Sequence, residues 1–378
     1  MLPAGFPSST SLADVLTSCL STISGASPTI PIPRVARAVV VLVDGLGAQS
    51  LRARSGHARF LGPRLTRAST LDSGSPTTTA AAIATLCTGR MPGEHGIVGY
   101  RGYDPTTSGV FNHLSGWNGV PAPERWQRCE TVFQAAARQG IPSYAVGPER
   151  YRSSSYTAAV LRGAEYVAAD SMERRVEVVR DLFDRGGKRL AYLYVPELDV
   201  AAHASGWESD AWLVALEELD SAMARLARSL RTGEGAFVTA DHGILDVPRT
   251  SHVLYDAVPR LTESVTRVGG DPRLLQLYLG PDATESDEHE LAAAWREAEE
   301  HRAWIATRSE AIDAGWFGPA VDADVAPRIG NVLVAARGRI AYYDSTPEGA
   351  KSRRMVGQHG SFTPEERRVP LIRLGAFE

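Results

Sequence analysis

Cysteine is scarce in this chain, and an excess of basic charge is missing. Only three cysteines occur in 378 residues, Cys19, Cys87 and Cys129. An odd number at wide spacing implies neither a disulfide framework nor a CxxC metal site, and the thiols read as buried or idle groups in a reducing compartment. Lys and Arg total 40 against 44 Asp and Glu, a net charge of -4, so the basic footprint of a nucleic-acid-binding protein is absent. No membrane span is visible, and the opening MLPAGFPSSTSLADVLTSCLSTISG lacks the positively charged start of a secretory signal. A cytoplasmic protein with neither a nucleic-acid polymer nor a membrane as partner is therefore expected. Internal repeats and low-complexity runs are also missing. What is present is ordinary for a globular protein, with 43% apolar and 22% charged residues, and the length suits one large domain or a domain with an insert.

Along the chain, residues 11–23 read as a short amphipathic helix and residues 24–33 as a Pro/Ser-rich approach. RAVVVLVD from Arg37 to Asp44 is a continuous apolar run closed by Asp44-Gly45, which is how a buried parallel strand reads. SYAVG at 143–147, LAYLYV at 190–195 and AFVTAD at 236–241 repeat that signature. Helical patterns separate them at 79–86, 172–183 and 208–230. Strands alternating with helices predict an α/β fold with a doubly wound, mainly parallel sheet. Between about 247 and 345 the texture changes to short strand pieces, LLQLYLG and NVLVAARGRIAYY, around an acidic helix. This predicts an α+β insert, with Ala336-Arg337-Gly338 as a hairpin turn. The division expected is a core over 1–246, an insert over 247–345 and a core completion over 346–378.

Chemistry gathers at the strand ends. Asp44, Asp199 and Asp241 lie at or just past the C-terminal ends of predicted strands, the edge where ligands collect in open α/β sheets. Asp199 and His203 are four apart, on one face of a helical turn; Asp241 and His242 are adjacent at a strand end; His359 lies among glycines in GQHGS. Each residue alone has an ordinary explanation as a turn, a surface pair or a loop histidine, and it is their joint placement that points to a site. Carboxylate and imidazole donors suit Zn²⁺ ahead of Mn²⁺ or Fe. Six such residues exceed one tetrahedral site and suit two. One ion is expected on Asp199, His203 and His359, the other on Asp44, Asp241, His242 and the Thr79 hydroxyl. SPTTTAAAIATLCTG places three threonines at a helix start, where free backbone N–H groups welcome an anion such as phosphate. Thr79 is the candidate nucleophile, and its hydroxyl needs the activation that an adjacent ion supplies.

These segments resemble the alkaline phosphatase superfamily, and within it the nucleotide pyrophosphatase/phosphodiesterase branch. The resemblance runs through VVVLVDGLG, PTTT with CTGRMPGEHGIVGY, ELDVAAHASG, TADHG and GQHGS, from about Val39 to Phe362 outside the insert. It implies an alkaline-phosphatase-like fold with a cap before the final histidine motif, and it singles out Thr79 from Thr77 and Thr78 as nucleophile. The two-zinc ligands it implies are Asp44, Asp199, His203, Asp241, His242 and His359. Where the family has Phe-Pro-Asn after the nucleophile, this chain has Ala80-Ala81-Ala82, which removes the aromatic that helps stack a nucleobase. Where the family has an asparagine after HGI, this chain has Tyr100; its phenol is a candidate donor to the phosphoryl oxygen, with Arg101 as another.

The activity implied is hydrolysis of a phosphodiester or pyrophosphate bond in a small molecule through a covalent phosphothreonine. The alternatives are a phosphomonoesterase, phosphonate hydrolase or phosphomutase of the same superfamily, and, in another class, a metal-dependent ligand-binding protein without turnover. A sulfatase is disfavoured, because the Cys-x-Pro-Ser-Arg type of sequence is not at the nucleophile position. Three further histidines are assigned outside the site: His95 as a loop brace, His113 as a surface residue and His252 as part of the insert. Glu197 is a competitor of Asp199, disfavoured because its six-residue spacing from His203 spoils the shared face.

Overall fold

The computed structural model describes residues 1–5, 10–117 and 122–378. Its central sheet has seven strands in the spatial order Thr70–Asp72, Arg368–Gly375, Glu234–Thr239, Arg37–Val43, Arg189–Val195, Ser143–Gly147 and Glu165–Ala168. The last five run parallel; at the edge Arg368–Gly375 is antiparallel to both its neighbours, so that Thr70–Asp72 again runs in the direction of the five. The apolar runs form the interior of this sheet because both faces are covered, so every residue from Ala38 to Val43 is buried. Helices Ala13–Ser24 and Thr79–Thr88 pack together as one group, and Met172–Asp184 and Asp210–Ser229 as another. The alanines of the Thr79–Thr88 helix let it lie close, and all ten of its residues are buried.

A second, antiparallel sheet of six strands runs Ala303–Thr307, Val332–Ala336, Leu274–Leu279, Val265–Asp271, Arg101–Asp104 and Gly109–Asn112. It draws on residues 101–112 as well as on the region after 247. Alternation divides its side chains between two cores. Leu275, Leu277 and Leu279 join Trp295 of the acidic helix on one face, while Leu274, Leu333 and Ala335 join Trp316 and Phe317 on the other.

The expected hairpin at Ala336-Arg337-Gly338 does not form. Val332–Ala336 stays in the six-stranded sheet, whereas Ala341–Tyr343 leaves it to pair in parallel with His252–Leu254. The cause is Arg273, whose buried guanidinium donates to the carbonyls of Gly338 and Ile340, while Tyr342 N donates to Pro272 O. These bonds steer the chain across the hairpin tip instead of back along its own strand. Among the described residues, no helix is long and apolar enough to cross a membrane.

Candidate active site

The parallel strands deliver their carboxylates to one edge. Asp44 directly follows Arg37–Val43, Asp241 follows Glu234–Thr239 by two residues, and the helix Glu197–Ser205, carrying Asp199 and His203, opens just past Arg189–Val195. Gly45 turns the chain at φ +73°, and a Cβ there would stand 3.1 Å from Asp199 Cβ. Glycine thus permits two acidic loops to approach each other closely. His359 comes from the far end of the chain, after the short strand Gly357–Gln358 that pairs with Leu245–Asp246.

The seven residues converge on one place. In one group, His203 Nε2 lies 3.3 Å and His359 Nε2 4.0 Å from Asp199 Oδ1. In the other, His242 Nε2 lies 3.4 Å from Asp44 Oδ1 and 3.6 Å from Asp241 Oδ2. Within each trio the donor atoms are all within 4.8 Å of one another. The His242 and His359 rings stack at 3.6 Å between centroids, joining the two groups. Thr79 Oγ1 is 3.1 Å from His242 Nε2 and 3.5 Å from Asp44 Oδ1.

Each histidine is held the same way. Nδ1 of His203 donates to Gly357 O, that of His359 to Thr77 O, and that of His242 to Gly243 O, at 2.8, 2.8 and 3.1 Å. The backbone therefore fixes each ring's orientation and turns three Nε2 atoms to the cluster, the arrangement seen in metal-ligating histidines. The phenol of Tyr194 donates to Asp44 Oδ2 at 2.5 Å.

Charge fits a cation site. Burial, with Asp241 and Asp199 nearby, pushes the Asp44 carboxyl well above its usual range, and burial also raises Asp241. Burial, with His242 and His203 beside it, drives His359 well below its ordinary value, so this ring stays neutral. Asp199 Oδ1 and Asp241 Oδ2 are buried without a hydrogen-bond partner. Unpartnered buried carboxylate oxygens are unfavourable, and divalent ions in these two trios would satisfy both while relieving the repulsion. The residues present therefore fit the expected donor set.

The three threonines have different surroundings. Thr77 Oγ1 donates to Ser361 O and accepts from Gly360 N, lacing the helix start to the loop that carries His359. Thr78 is the helix N-cap residue, yet its side chain makes no cap bond and its Oγ1 is buried without a partner. Only Thr79 of the three lines the cavity beside the cluster. Tyr156 donates to Ala80 O at 2.7 Å and so holds the helix's first turn.

The cavity has a volume of about 1050 Å³ and is walled by both sheets. Tyr100 and Arg101 line it, and burial raises the Tyr100 phenol. Ala80, Ala81 and Ala82 are buried in the helix layer and offer the cavity no aromatic side chain of their own. Phe111, Tyr151 and Tyr194 supply an aromatic wall from other elements instead. Glu197 is taken by Arg175 at 2.8 Å. His95 bonds Thr85 Oγ1 and accepts from Ile97 N, bracing its loop. His113 is not a surface residue: it is fully buried, donating from Nδ1 to Gly99 O and accepting from Trp126 Nε1. Polar neighbours in FNHLSG suggested exposure, whereas the ring is enclosed by the indoles of Trp117, four residues on, and Trp126, thirteen on.

Asp271 also faces this cavity and was not singled out in the sequence. It ends the Val265–Asp271 strand, is 6% exposed, and has an Oδ2 without a hydrogen-bond partner. Burial holds its carboxyl up at about 8. The available signal was Gly-Gly-Asp-Pro-Arg, a tight-turn composition that places an acid at a strand tip.

A family model described as type I phosphodiesterase/nucleotide pyrophosphatase matches residues 38–362. A curated relative, an uncharacterized pyrophosphatase/phosphodiesterase of Schizosaccharomyces pombe, is 25% identical over 209 residues, which cover 51% of this chain and 40% of that protein. The match thus spans well under half of that relative's length. Among solved structures, mouse ectonucleotide pyrophosphatase/phosphodiesterase 5 superposes with a TM-score of 0.67 at 17% identity, over 88% of this chain and 87% of that one. Phosphonoacetate hydrolase from Sinorhizobium meliloti, in complex with phosphonoformate, gives 0.68 at 18% identity, over 90% and 91%. At these identities the structural likeness is one of fold.

Proposed function

The chain belongs to the type I phosphodiesterase/nucleotide pyrophosphatase family, and from that membership we propose that it is a metal-dependent hydrolase of phosphodiester or pyrophosphate bonds that works through a covalent phosphothreonine on Thr79. The observation that carries the reading is the position of Thr79 Oγ1 at a helix start, 3.1 Å from His242 Nε2 and 3.5 Å from Asp44 Oδ1.

In this reading Asp199, His203 and His359 would hold one divalent ion, and Asp44, Asp241, His242 and Thr79 Oγ1 would hold the other, with Zn²⁺ the ion this donor set suits. Bound there, the ions supply Lewis-acid stabilisation of phosphoryl oxygens and a lowered hydroxyl pKa. Thr79 Oγ attacks phosphorus, the bond to the leaving oxygen breaks, and water then hydrolyses the threonine ester. The free backbone N–H groups of the helix start face the anion throughout. Tyr100, with Arg101 as the other candidate, donates to a phosphoryl oxygen and opposes the charge that develops there. Residues 247–345, with 101–112, act as the cap that shapes the substrate's other end.

The mouse relative is described in complex with AMP as an inactive variant, which supports a small-molecule phosphoester substrate. With alanines beside the nucleophile, nucleotides are not favoured over other alcohols. Turnover of bis(p-nitrophenyl) phosphate and p-nitrophenyl phosphate by zinc-loaded protein tests the reading. A higher kcat/KM for the diester is expected; a preference for the monoester assigns a phosphomonoesterase, and turnover of neither removes the hydrolase reading.

A further inference from the structure

The hairpin tip Asp271-Pro272-Arg273 is held rigidly against the loop that carries His359. Arg273 makes a two-pronged ion pair with Glu366, with both side chains fully buried, and Glu366 in turn accepts from Ser361 N and Thr363 Oγ1. Gly360 packs directly on Asp271: a Cβ added at Gly360 would lie 2.9 Å from Asp271 Cβ. The second sheet therefore projects one carboxyl into the wall of the cavity beside the candidate active site, at a position that the core domain itself fixes.

The carboxyl accepts a hydrogen bond from the Tyr100 backbone, which leaves one oxygen over. Arg273, two residues on, carries the ion pair, while Asp271 Oδ2 is left without a partner. A buried polar atom with no partner is unfavourable, and a ligand that completes it removes that penalty. Tyr100 and Arg101 line the same part of the cavity and act on the Asp271 charge.

We propose that Asp271 is a specificity-determining residue that takes a hydrogen bond from a hydroxyl group on the alcohol portion of the substrate, so that hydroxylated phosphoesters are preferred over their deoxy counterparts. A neutral hydroxyl suits this carboxyl better than a cation, since burial favours its uncharged form. The inference rests on the phosphoester reading of the site.

Equilibrium binding separates the two ideas, because it does not require turnover. Glycerol phosphate and propyl phosphate share a phosphate monoester and differ in hydroxyls alone. Calorimetry on the zinc-loaded full chain should give about tenfold tighter binding of glycerol phosphate. Asp271→Ala should remove that ratio while changing propyl phosphate affinity less than about twofold, and Asp271→Asn should restore part of it. Equal affinities in the wild type, or an equal loss for both ligands in Asp271→Ala despite an unchanged melting temperature, would overturn the proposal. If the ratio holds while the p-nitrophenyl esters go uncleaved, the hydroxyl subsite stands and the hydrolase reading falls; if the esters are cleaved and the ratio is one, the reverse follows.

Discussion

Tyr194 and the backbone carbonyls that anchor the three histidines show how much of the site depends on groups that would touch no ion. The Tyr194 phenol donates to Asp44 Oδ2 and so sets which oxygen of that carboxylate faces His242 and Thr79. Such outer partners are worth roughly 10–100-fold in metal affinity or activity. Tyr194→Phe is therefore expected to weaken zinc binding or kcat/KM within that range while the melting temperature stays within a few degrees, as a zinc titration alongside thermal unfolding will read. Loss of folding with unchanged zinc affinity would reassign Tyr194 to the core.

The Arg273–Glu366 pair joins the hairpin tip of the second sheet to the Ser361–Arg367 segment of the core. Removing one member of a buried ion pair leaves the other unpaired, at about 3–5 kcal/mol. Denaturant titration of Glu366→Gln should show a loss of that size, and a loss under about 1 kcal/mol would mean that the junction is held by packing instead. The Arg273 guanidinium holds the Glu366 carboxyl below its ordinary range despite burial. A depressed acid stabilises the fold above its unfolded pKa of about 4.3 and loses that contribution as pH falls through the lower folded value. Wild-type stability should accordingly drop more steeply than that of Glu366→Gln on acidification below about pH 4, measured by urea midpoints across pH. The elements themselves were largely legible beforehand. Residues 143–147 read as a strand and are one, and Arg37–Val43 and Arg189–Val195 announce themselves by unbroken apolar runs. Long-range steering was not legible. The turn at Gly338 is set by Arg273, 65 residues away. The burial of His113 was missed for a different reason: Trp117 and Trp126 are near in sequence, but their folding over the ring is not a matter of spacing. The convergence of Asp44, Asp199, His203, Asp241, His242 and His359 could be anticipated because strand-end position is a local property; Asp271 was missed because its neighbour Gly360 lies 89 residues further on and nothing local pairs them.

Taken whole, the molecule is a parallel sheet that presents three acids and a threonine at one edge, with a second sheet forming the facing wall of a cavity of about 1050 Å³. Asp44 and Asp241 are buried and Asp199 half-buried beside them, and carboxylates so close together repel one another, so ions that bind the folded state alone should stabilise it, by about 2.7 kcal/mol at free metal one hundred times Kd. Chelator treatment is expected to lower the melting temperature by several degrees and zinc to restore it, whereas an unchanged melting curve would speak against ions in both trios. In the proposed mechanism Thr79 holds the phosphoryl group as a covalent ester between attack and hydrolysis. Zinc content and kcat/KM on bis(p-nitrophenyl) phosphate, measured together for wild type and Thr79→Ala, test it directly. The prediction is two equivalents of zinc in the wild type, substantial zinc retention in the variant, and a fall in kcat/KM of at least about a thousandfold; equal rates for the two proteins would contradict it.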